Sequence, residues 1–356
     1  MFVSPPDRPQ STIAVRAIDA ADPAARARWD QAVRARADAT MFHLAAWPMA
    51  IAETFGHRFW LLAAERDGVI VGLLPLILVR SRLFGTRLAS NAFAVYGGPL
   101  ADDADVHAAL DAAAIRLRDE TGASLLEYRN LHRLRPDWPA KTDVYARFRK
   151  PILDTPDANM KALPSKQRNM IRKGEKAGLE AIEETGVDPA WQLYAESVRN
   201  LGTPVFPRSL FVALKRHYGD DCVIQTVRHE GVAIAASLSL VFRDEIHIFY
   251  AGGTRAGRAV AANDFLFWSV MEAGRRRGLA SYDLGRSKVG TGAYDFKLKW
   301  GIEPEPLAYE FQLAPGAAMP DMNPNSPKYT RFVELWQRLP LPVANFIGPL
   351  LSRSLG

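Results

Sequence analysis

The two halves of the chain repeat one order of local signals, and that repeat narrows the available folds more than any single motif does. Glu65-Arg66-Asp67-Gly68-Val69-Ile70-Val71-Gly72 resembles Arg228-His229-Glu230-Gly231-Val232-Ala233-Ile234-Ala235, and both octets read as hairpins turning at an acid-Gly pair. A long apolar second strand follows each turn, Leu73 to Val79 and Ala236 to Phe242. Next come the aromatic-glycine elements Tyr96-Gly97-Gly98 and Tyr250-Ala251-Gly252-Gly253. Helical segments Asp105 to Glu120 and Ala262 to Arg277 then end at Gly122 and Gly278, glycine being the residue that best accepts the left-handed turn of a helix C-terminus. A strand follows each, Ser124 to Arg129 and Ala280 to Gly285. Hairpin, third strand, helix and further strand describe a mixed α/β sheet with a right-handed central crossover. Two such units in tandem are the expected architecture.

Lys150-Pro151-Ile152-Leu153-Asp154-Thr155-Pro156 reads as an extended connection, because proline breaks helices and disfavours helical geometry in the residue before it. The expected division is therefore residues 13–150, residues 151–315, and a Pro-rich helical tail, 316–356, whose Phe332, Leu335, Trp336 and Leu339 share a face that should dock on the body. With 48% hydrophobic residues in 356, each unit can bury its own core. Cys222, the lone cysteine, forms no internal disulfide and no thiolate zinc cage, which suits a reducing compartment. Met1 to Arg8 lack an apolar signal region, and the longest apolar stretches, Gly68 to Val79 and Leu339 to Leu351, fall short of the ~20 residues of a spanning helix. A cytoplasmic protein is expected. The net charge of +6 favours an anionic substrate without reaching the footprint of a DNA-binding protein. Arg275, Arg276 and Arg277 close a helix just before Gly278, where cations complement the helix dipole, so they read as structural and DNA is not expected as a partner.

Several chemistries lack their motifs. There is no Gly-x-Ser-x-Gly elbow, Walker loop or Gly-x-Gly-x-x-Gly, and no two of the seven histidines stand at metal-ligand spacing, so no metal site is expected. The densest stretch runs from Tyr282-Asp283-Leu284-Gly285-Arg286-Ser287-Lys288 to Phe296-Lys297-Leu298-Lys299-Trp300-Gly301. It leaves a strand at its carboxyl end, where open α/β sheets collect ligands, and Gly285, Gly290 and Gly292 let backbone approach a ligand closely. Arg286 can clamp a phosphate with two parallel hydrogen bonds, and Lys288, Lys297 or Lys299 can neutralise phosphate or a developing oxyanion. Asp283 can anchor the loop or act on a proton. Upstream, Arg168, Arg172 and Lys176 lie at four-residue spacing in a basic helical segment and form a candidate phosphate rail.

The Asp283–Gly301 run is similar to the closing motif of FemAB-like transferases of the GNAT superfamily, in which a strand ends in Asp-x-Gly-Arg-Ser and a Phe-Lys-x-x-aromatic-Gly segment completes the site. Tyr250-Ala251-Gly252-Gly253, the helix opening at Asn263 (Ala262 to Trp268) and the basic helix Ser165 to Gly178 also resemble that family. The likeness spans residues 40–312 and implies tandem GNAT-like domains of the acyl-CoA N-acyltransferase type, hence an acyltransferase. It implies Lys297 and Asp283 as catalytic residues, with the Lys297 ammonium held by the Phe296 and Trp300 anchors to stabilise an oxyanion. Implied substrate-binding residues are Arg286, Ser287, Lys288, Asn263, Tyr250, Gly252, Arg168, Arg172 and Tyr294. Beyond it, Asn323 to Tyr329 and Leu339 to Pro349 look like the tail of the subgroup associated with exosortase and PEP-CTERM systems, implying work on an exopolysaccharide or surface-protein precursor.

Two departures bear on the acyl donor. The paired-helix arm with which FemA-type members engage tRNA is missing, and Arg258-Ala259-Val260-Ala261-Ala262-Asn263 lacks the glycines of the GNAT pyrophosphate turn. Aminoacyl-tRNA and acyl-CoA thus both stay open as donors, neither as a tightly bound cofactor. The leading reading is transfer of an aminoacyl or other acyl group to an amine of an anionic small-molecule or nucleotide-linked envelope precursor, with tRNA a partner only as donor. The competing reading is a non-catalytic scaffold at the inner membrane face, its Leu339-to-Leu351 tail in peripheral contact with lipid.

Overall fold

The computed structural model describes residues 12–81, 85–319 and 327–355. Met1 to Arg8 and the Asn323 to Ser326 part of the tail motif lie outside them. The first half runs β1 (Ala14–Ile18), α1 (Pro23–Ala35), α2 (Ala46–Phe55), β2 (Arg58–Arg66), β3 (Val69–Ser81), β4 (Gly85–Ser90), β5 (Leu100–Ala101), α3 (Ala104–Thr121), β6 (Leu125–Asn130), β7 (Ala140–Lys141) and β8 (Tyr145–Pro151). The second continues with α4 (Pro156–Lys161), α5 (Ser165–Lys176), β9 (Glu180–Glu184), α6 (Asp188–Asn200), α7 (Arg208–Tyr218), β10 (Cys222–His229), β11 (Val232–Phe242), β12 (Glu245–Gly253), α8 (Arg255–Ala259), α9 (Ala262–Arg276), β13 (Ser281–Lys288), α10 (Gly292–Leu298), β14 (Glu305–Pro306) and β15 (Ala308–Leu313). Two helices follow, α11 (Pro327–Arg338) and α12 (Leu341–Ser352).

The expected tandem mixed α/β architecture is present, and the repeat extends further than the sequence shows. Both acid-Gly turns have two residues at positive φ, Asp67 at 51° with Gly68 at 78° and Glu230 at 51° with Gly231 at 80°, the geometry of a tight two-residue hairpin loop. The full order β1-α1-α2-β2-β3-β4-α3-β6 recurs as β9-α6-α7-β10-β11-β12-α9-β13. In each unit the first strand is antiparallel to the second, and the last is parallel to the fourth. The paired helices α1–α2 and α6–α7 share no motif, since an outer surface needs only an apolar stripe. One resemblance does not survive. Tyr250 to Gly253 lie on strand β12, whereas Tyr96 to Gly98 sit in a loop, residues 91–99, that leaves the sheet before β5 returns to pair with β3.

The halves trade strands. The order in one sheet is β1-β2-β3-β4-β6-β15-β7, with β5 on β3, and in the other β14-β8-β13-β12-β11-β10-β9. Strand β15 closes the first sheet against β6, and β8 closes the second against β13. The division expected between residues 150 and 151 therefore falls inside β8, a strand of the second sheet, because Pro151 ends the ladder without leading it out of the sheet.

Three apolar layers result. Helix α3 puts Val106, Leu110 and Ala114 on one face of the first sheet, against Leu74, Leu76 and Leu88. Phe267, Val270 and Met271 of α9 and Ile171 of α5 cover the outer face of the second. Between the sheets, Phe42, Trp47 and Phe55 of the first half share one core with Leu210, Phe211, Leu238 and Leu240 of the second. In the tail Trp336 is buried and Val333 packs on Gly202, but Leu335 points outward, so the expected docking face turns only partly inward.

A shared core and exchanged strands leave neither half a complete sheet, so unfolding should be one cooperative event. Urea denaturation followed by tryptophan fluorescence and by far-UV circular dichroism is expected to give coincident single transitions. Two separated transitions would show independent domains.

Candidate active site

The site begins where two strands part. Parallel pairing of β12 with β13 covers only Glu245–His247 against Ser281–Asp283. Beyond that point β12 runs on along β11 to Gly253 and β13 along β8 to Lys288, so a fork opens at their carboxyl ends. The β8–β13 ladder shifts register between Asp283 and Arg286, where Gly285 has φ 77°, and the β11–β12 ladder shifts between Leu238 and Ser239, leaving Phe249 as an extra residue. Past the apex, the edge of β12 that faced β13 has lost its ladder partners, and its main-chain groups face the fork.

His247 and Asp283 are fully buried at the apex. Asp283 Oδ1 accepts from the Gly285 N–H at 2.6 Å, and Oδ2 accepts the hydroxyl of Tyr96, delivered by the 91–99 loop of the first half. With that proton committed, the Tyr96 oxygen accepts from His247 Nδ1–H at 3.2 Å, which fixes the tautomer and leaves Nε2 a buried acceptor without a partner among the described residues. A side chain at position 285 would place Cβ 3.0 Å from that nitrogen, so glycine is required there for space as well as for its φ. Burial, reinforced by the Lys297 and Arg147 cations, drives the imidazole down to about 3, and it stays neutral at physiological pH. Burial also raises Asp283, against the opposing pull of Tyr96, Arg147, the Gly285 N–H and Lys297. Glu245 is raised by burial and by the neighbouring Asp283.

Lys297 reaches the fork from α10. Thr291 caps that helix by accepting from the Tyr294 N–H, and Phe296 seats it edge-on against Phe267 of α9 at 5.0 Å, with Trp300 buried behind. The Lys297 amine donates to the carbonyls of Gly285 at 2.9 Å and Arg286 at 3.0 Å and lies 5.6 Å from the Phe148 ring centre. Two of its donors thus hold the bulge of β13. Burial lowers it to about 7, Asp283 opposing and Arg286 adding to the shift.

Other expected residues divide between the fork and the packing around it. Arg286 turns toward the first half, donating to the Tyr309 hydroxyl at 2.6 Å with its guanidinium 4.3 Å from the Tyr145 ring centre; Tyr309 in turn donates to the Val95 carbonyl. Ser287 is buried, its hydroxyl without a partner among the described residues, and Lys288 ends β13 half-buried. Tyr294 packs edge-on against Phe148 at 5.2 Å. Asn263 stands over Gly253, where a Cβ would meet its Oδ1 at 2.5 Å. Gly252 admits the backbone of α6, whose Leu193 carbonyl would lie 2.6 Å from a Cβ, so its close approach is to protein rather than to a ligand. Tyr250 stacks on Phe211 at 5.0 Å in the shared core, its hydroxyl buried and without a partner among the described residues. Helix α5 lies along α9, Gln167 donating to Asp264 in the first turn of α9, which brings the Arg168 and Arg172 helix beside the end of the fork; Arg168 also donates to the Leu163 carbonyl and Arg172 is exposed. Of the three helix-end arginines, Arg275 pairs with Glu272 and Arg277 with Glu183. Sequence reasoning passed over Tyr96 and His247. A histidine between Ile246 and Ile248 on an apolar strand was the available signal for the second; nothing local marks the first.

Residues 165–298 match the family model described as an acetyltransferase (GNAT) domain. No curated protein sequence matches the chain. Among solved structures, the fold is similar to FemX, with TM-score 0.65 and 13% identity over 81% of this chain and 96% of that one. It is similar to L-PGS from Bacillus licheniformis, with TM-score 0.51 and 15% identity over 87% and 96%. A tandem GNAT protein from the clavulanic acid biosynthesis pathway is similar over 87% of this chain and 100% of its own, with TM-score 0.50 and 15% identity. At these identities the likeness is one of fold. The second half carries an acyltransferase domain, and the two tandem units have the GNAT fold.

Two outcomes follow from the apex. Tyr96→Phe leaves Asp283 Oδ2 and His247 Nδ1–H unpaired in the core and is expected to cost about 1–3 kcal/mol in urea unfolding; an unchanged midpoint would remove the bond from the account. For Lys297 the native value near 7 lies below the ~10.4 of an unfolded lysine, so between those values the unfolded state binds more protons and stability rises with pH, by up to about 1.4 kcal/mol per unit. Relative to Lys297→Met, the parent protein should therefore gain stability between pH 7.5 and 9.5, and parallel pH profiles of the two would show a lysine that stays charged.

Proposed function

We propose that the chain transfers an acyl group from an activated donor to an amine, with the donor carbonyl lying in the fork between β12 and β13. The observation that carries this reading is the fork itself: unpaired β12 main chain beyond His247, inside a domain matching the GNAT acetyltransferase family. Attack by an amine on the donor carbonyl makes a tetrahedral oxyanion, and N–H groups without ladder partners are preorganised donors for it. Expulsion of a thiolate or alkoxide and loss of one proton from the amine complete the transfer. His247, held near 3, is too weak a base for that proton. Lys297 and Asp283 act by shaping the fork: the amine clamps the Gly285 and Arg286 carbonyls, and the carboxyl holds the Gly285 N–H and Tyr96.

An acyl-CoA donor is the reading favoured by the family match. The fold likeness to FemX and L-PGS makes an aminoacyl ester the second donor to test. For the acceptor we infer an anionic, amine-bearing envelope or exopolysaccharide precursor, supported by the net charge of +6 and by the basic α5 face beside the fork; the tail resemblance to the exosortase-associated subgroup points the same way. Arg286, Ser287, Lys288 and Tyr294 are the residues we assign to contact with bound substrate at the fork's outer end.

The test is thiol release from a panel of acyl-CoA donors with amino sugars and their nucleotide conjugates as acceptors, run beside aminoacyl-tRNA. Acceptor-dependent transfer from one donor class is expected, and none from either would sink the proposal. Within an active pair, Arg168→Glu with Arg172→Glu should raise KM for an anionic acceptor several-fold at low salt and less at high salt, because exposed charges are screened over ~10 Å at 0.1 M. An unchanged KM at low salt would remove α5 from the binding surface.

A further inference from the structure

Helix α12 is packed with three of its large side chains facing out. Its twelve residues carry no charge. Ala344, Gly348 and Ser352 are buried against the body, where a Cβ on Gly348 would meet Val205 at 2.8 Å, and the end of the helix is tied by His57 Nε2–H donating to the Arg353 carbonyl at 3.0 Å. Val343, Phe346 and Leu350, three and four residues apart and so on one face, are 40%, 78% and 69% exposed. Leu335 of α11 and Leu201 in the turn after α6 add exposures of 66% and 61%. A helix that served only to cover the body would bury Phe346 and Leu350 and expose its small residues, the reverse of what is seen.

The charges of this tail are predominantly positive. Residues 327–356 hold four cations, Lys328, Arg331, Arg338 and Arg353, against the single acid Glu334, a net of +3. Arg338 and Arg353 bracket α12 at its two ends, and both are exposed. An apolar centre bordered by cations complements a surface that is apolar beneath and anionic above. We propose that α12 and the adjoining face of α11 seat this protein on a lipid bilayer bearing anionic headgroups, with Val343, Phe346 and Leu350 entering the acyl boundary and the arginines meeting phosphates. At twelve residues the helix is about 18 Å long, far short of the ~30 Å hydrocarbon core, so it lies in the interface rather than across it. A second copy of the chain is a poor occupant, because pairing would bring two such +3 surfaces together.

Co-sedimentation of the full chain with vesicles tests this, comparing pure phosphatidylcholine with mixtures containing phosphatidylglycerol. Binding is expected to require the anionic lipid, to weaken with salt, and to fall tenfold or more in the Phe346→Ser, Leu350→Ser double variant at unchanged Tm. The Arg331→Gln, Arg338→Gln double variant should lose the preference for anionic vesicles; it keeps the question decidable if the apolar pair fails to fold. Failure to pellet with anionic vesicles overturns the proposal, as does equal binding by all variants. So does a dimer in sedimentation velocity that the apolar variant dissociates, which would assign the face to a second copy.

Discussion

Asp283 sits at zero exposure between two sheets, and a buried carboxyl is tolerated only when its lone pairs are taken and its charge is answered. That requirement reaches every part of the site. The Gly285 N–H and the Tyr96 hydroxyl occupy its oxygens, and Arg147 and Lys297 supply the opposing field. Tyr96 can arrive only because the 91–99 loop leaves the first sheet and crosses to the second, so a buried carboxyl in one half takes a hydrogen-bond donor from the other. The same requirement explains the position of Lys297: the amine that offsets Asp283 is also the one that holds the β13 bulge, so the charge balance and the shape of the fork are one arrangement.

Exchange of β8 and β15 makes that arrangement durable. Each strand closes the sheet of the other half, and Arg286 on β13 donates to Tyr309 on β15, so the rim of the fork is built partly from the first sheet. Such a fold cannot be divided at a linker without opening two sheets and a common core. It also accounts for the direction of Arg286. A guanidinium held by Tyr309 and stacked on Tyr145 is oriented before any ligand arrives, which costs less on binding than ordering a free surface arginine.

The basic helix and the tail meet solvent, and there charge and apolar area decide more than geometry does. Helix α5 keeps Ile171 and Gly174 inward against the α9 layer and leaves Arg172, Lys173 and Lys176 outside, an ordinary amphipathic division that places cations beside the fork. In α12 the division is inverted. Both surfaces are electrostatically simple, and both stand apart from the buried machinery at Asp283.

The sequence by itself determined the repeated unit, the hairpin turns, the helix ends and the closing Asp283–Gly301 segment, because each rests on local chemistry: positive φ at Asp67-Gly68 and Glu230-Gly231, glycine after a helix, period-two apolar strands. The likeness of that segment to the FemAB closing motif also singled out Lys297 and Asp283. Only the tertiary structure decided what those two side chains face, which strand completes which sheet, and that Tyr96 and His247 belong to the site. The strand exchange and the place of Tyr96 depend on contacts between residues far apart in the chain, such as Tyr96 with Asp283 and Tyr309 with Val95. Neither partner carries a local mark of the other, since a tyrosine in a glycine-flanked loop and a histidine on an apolar strand gain their meaning only when burial removes water and leaves the Tyr96 oxygen to pair with both Asp283 and His247.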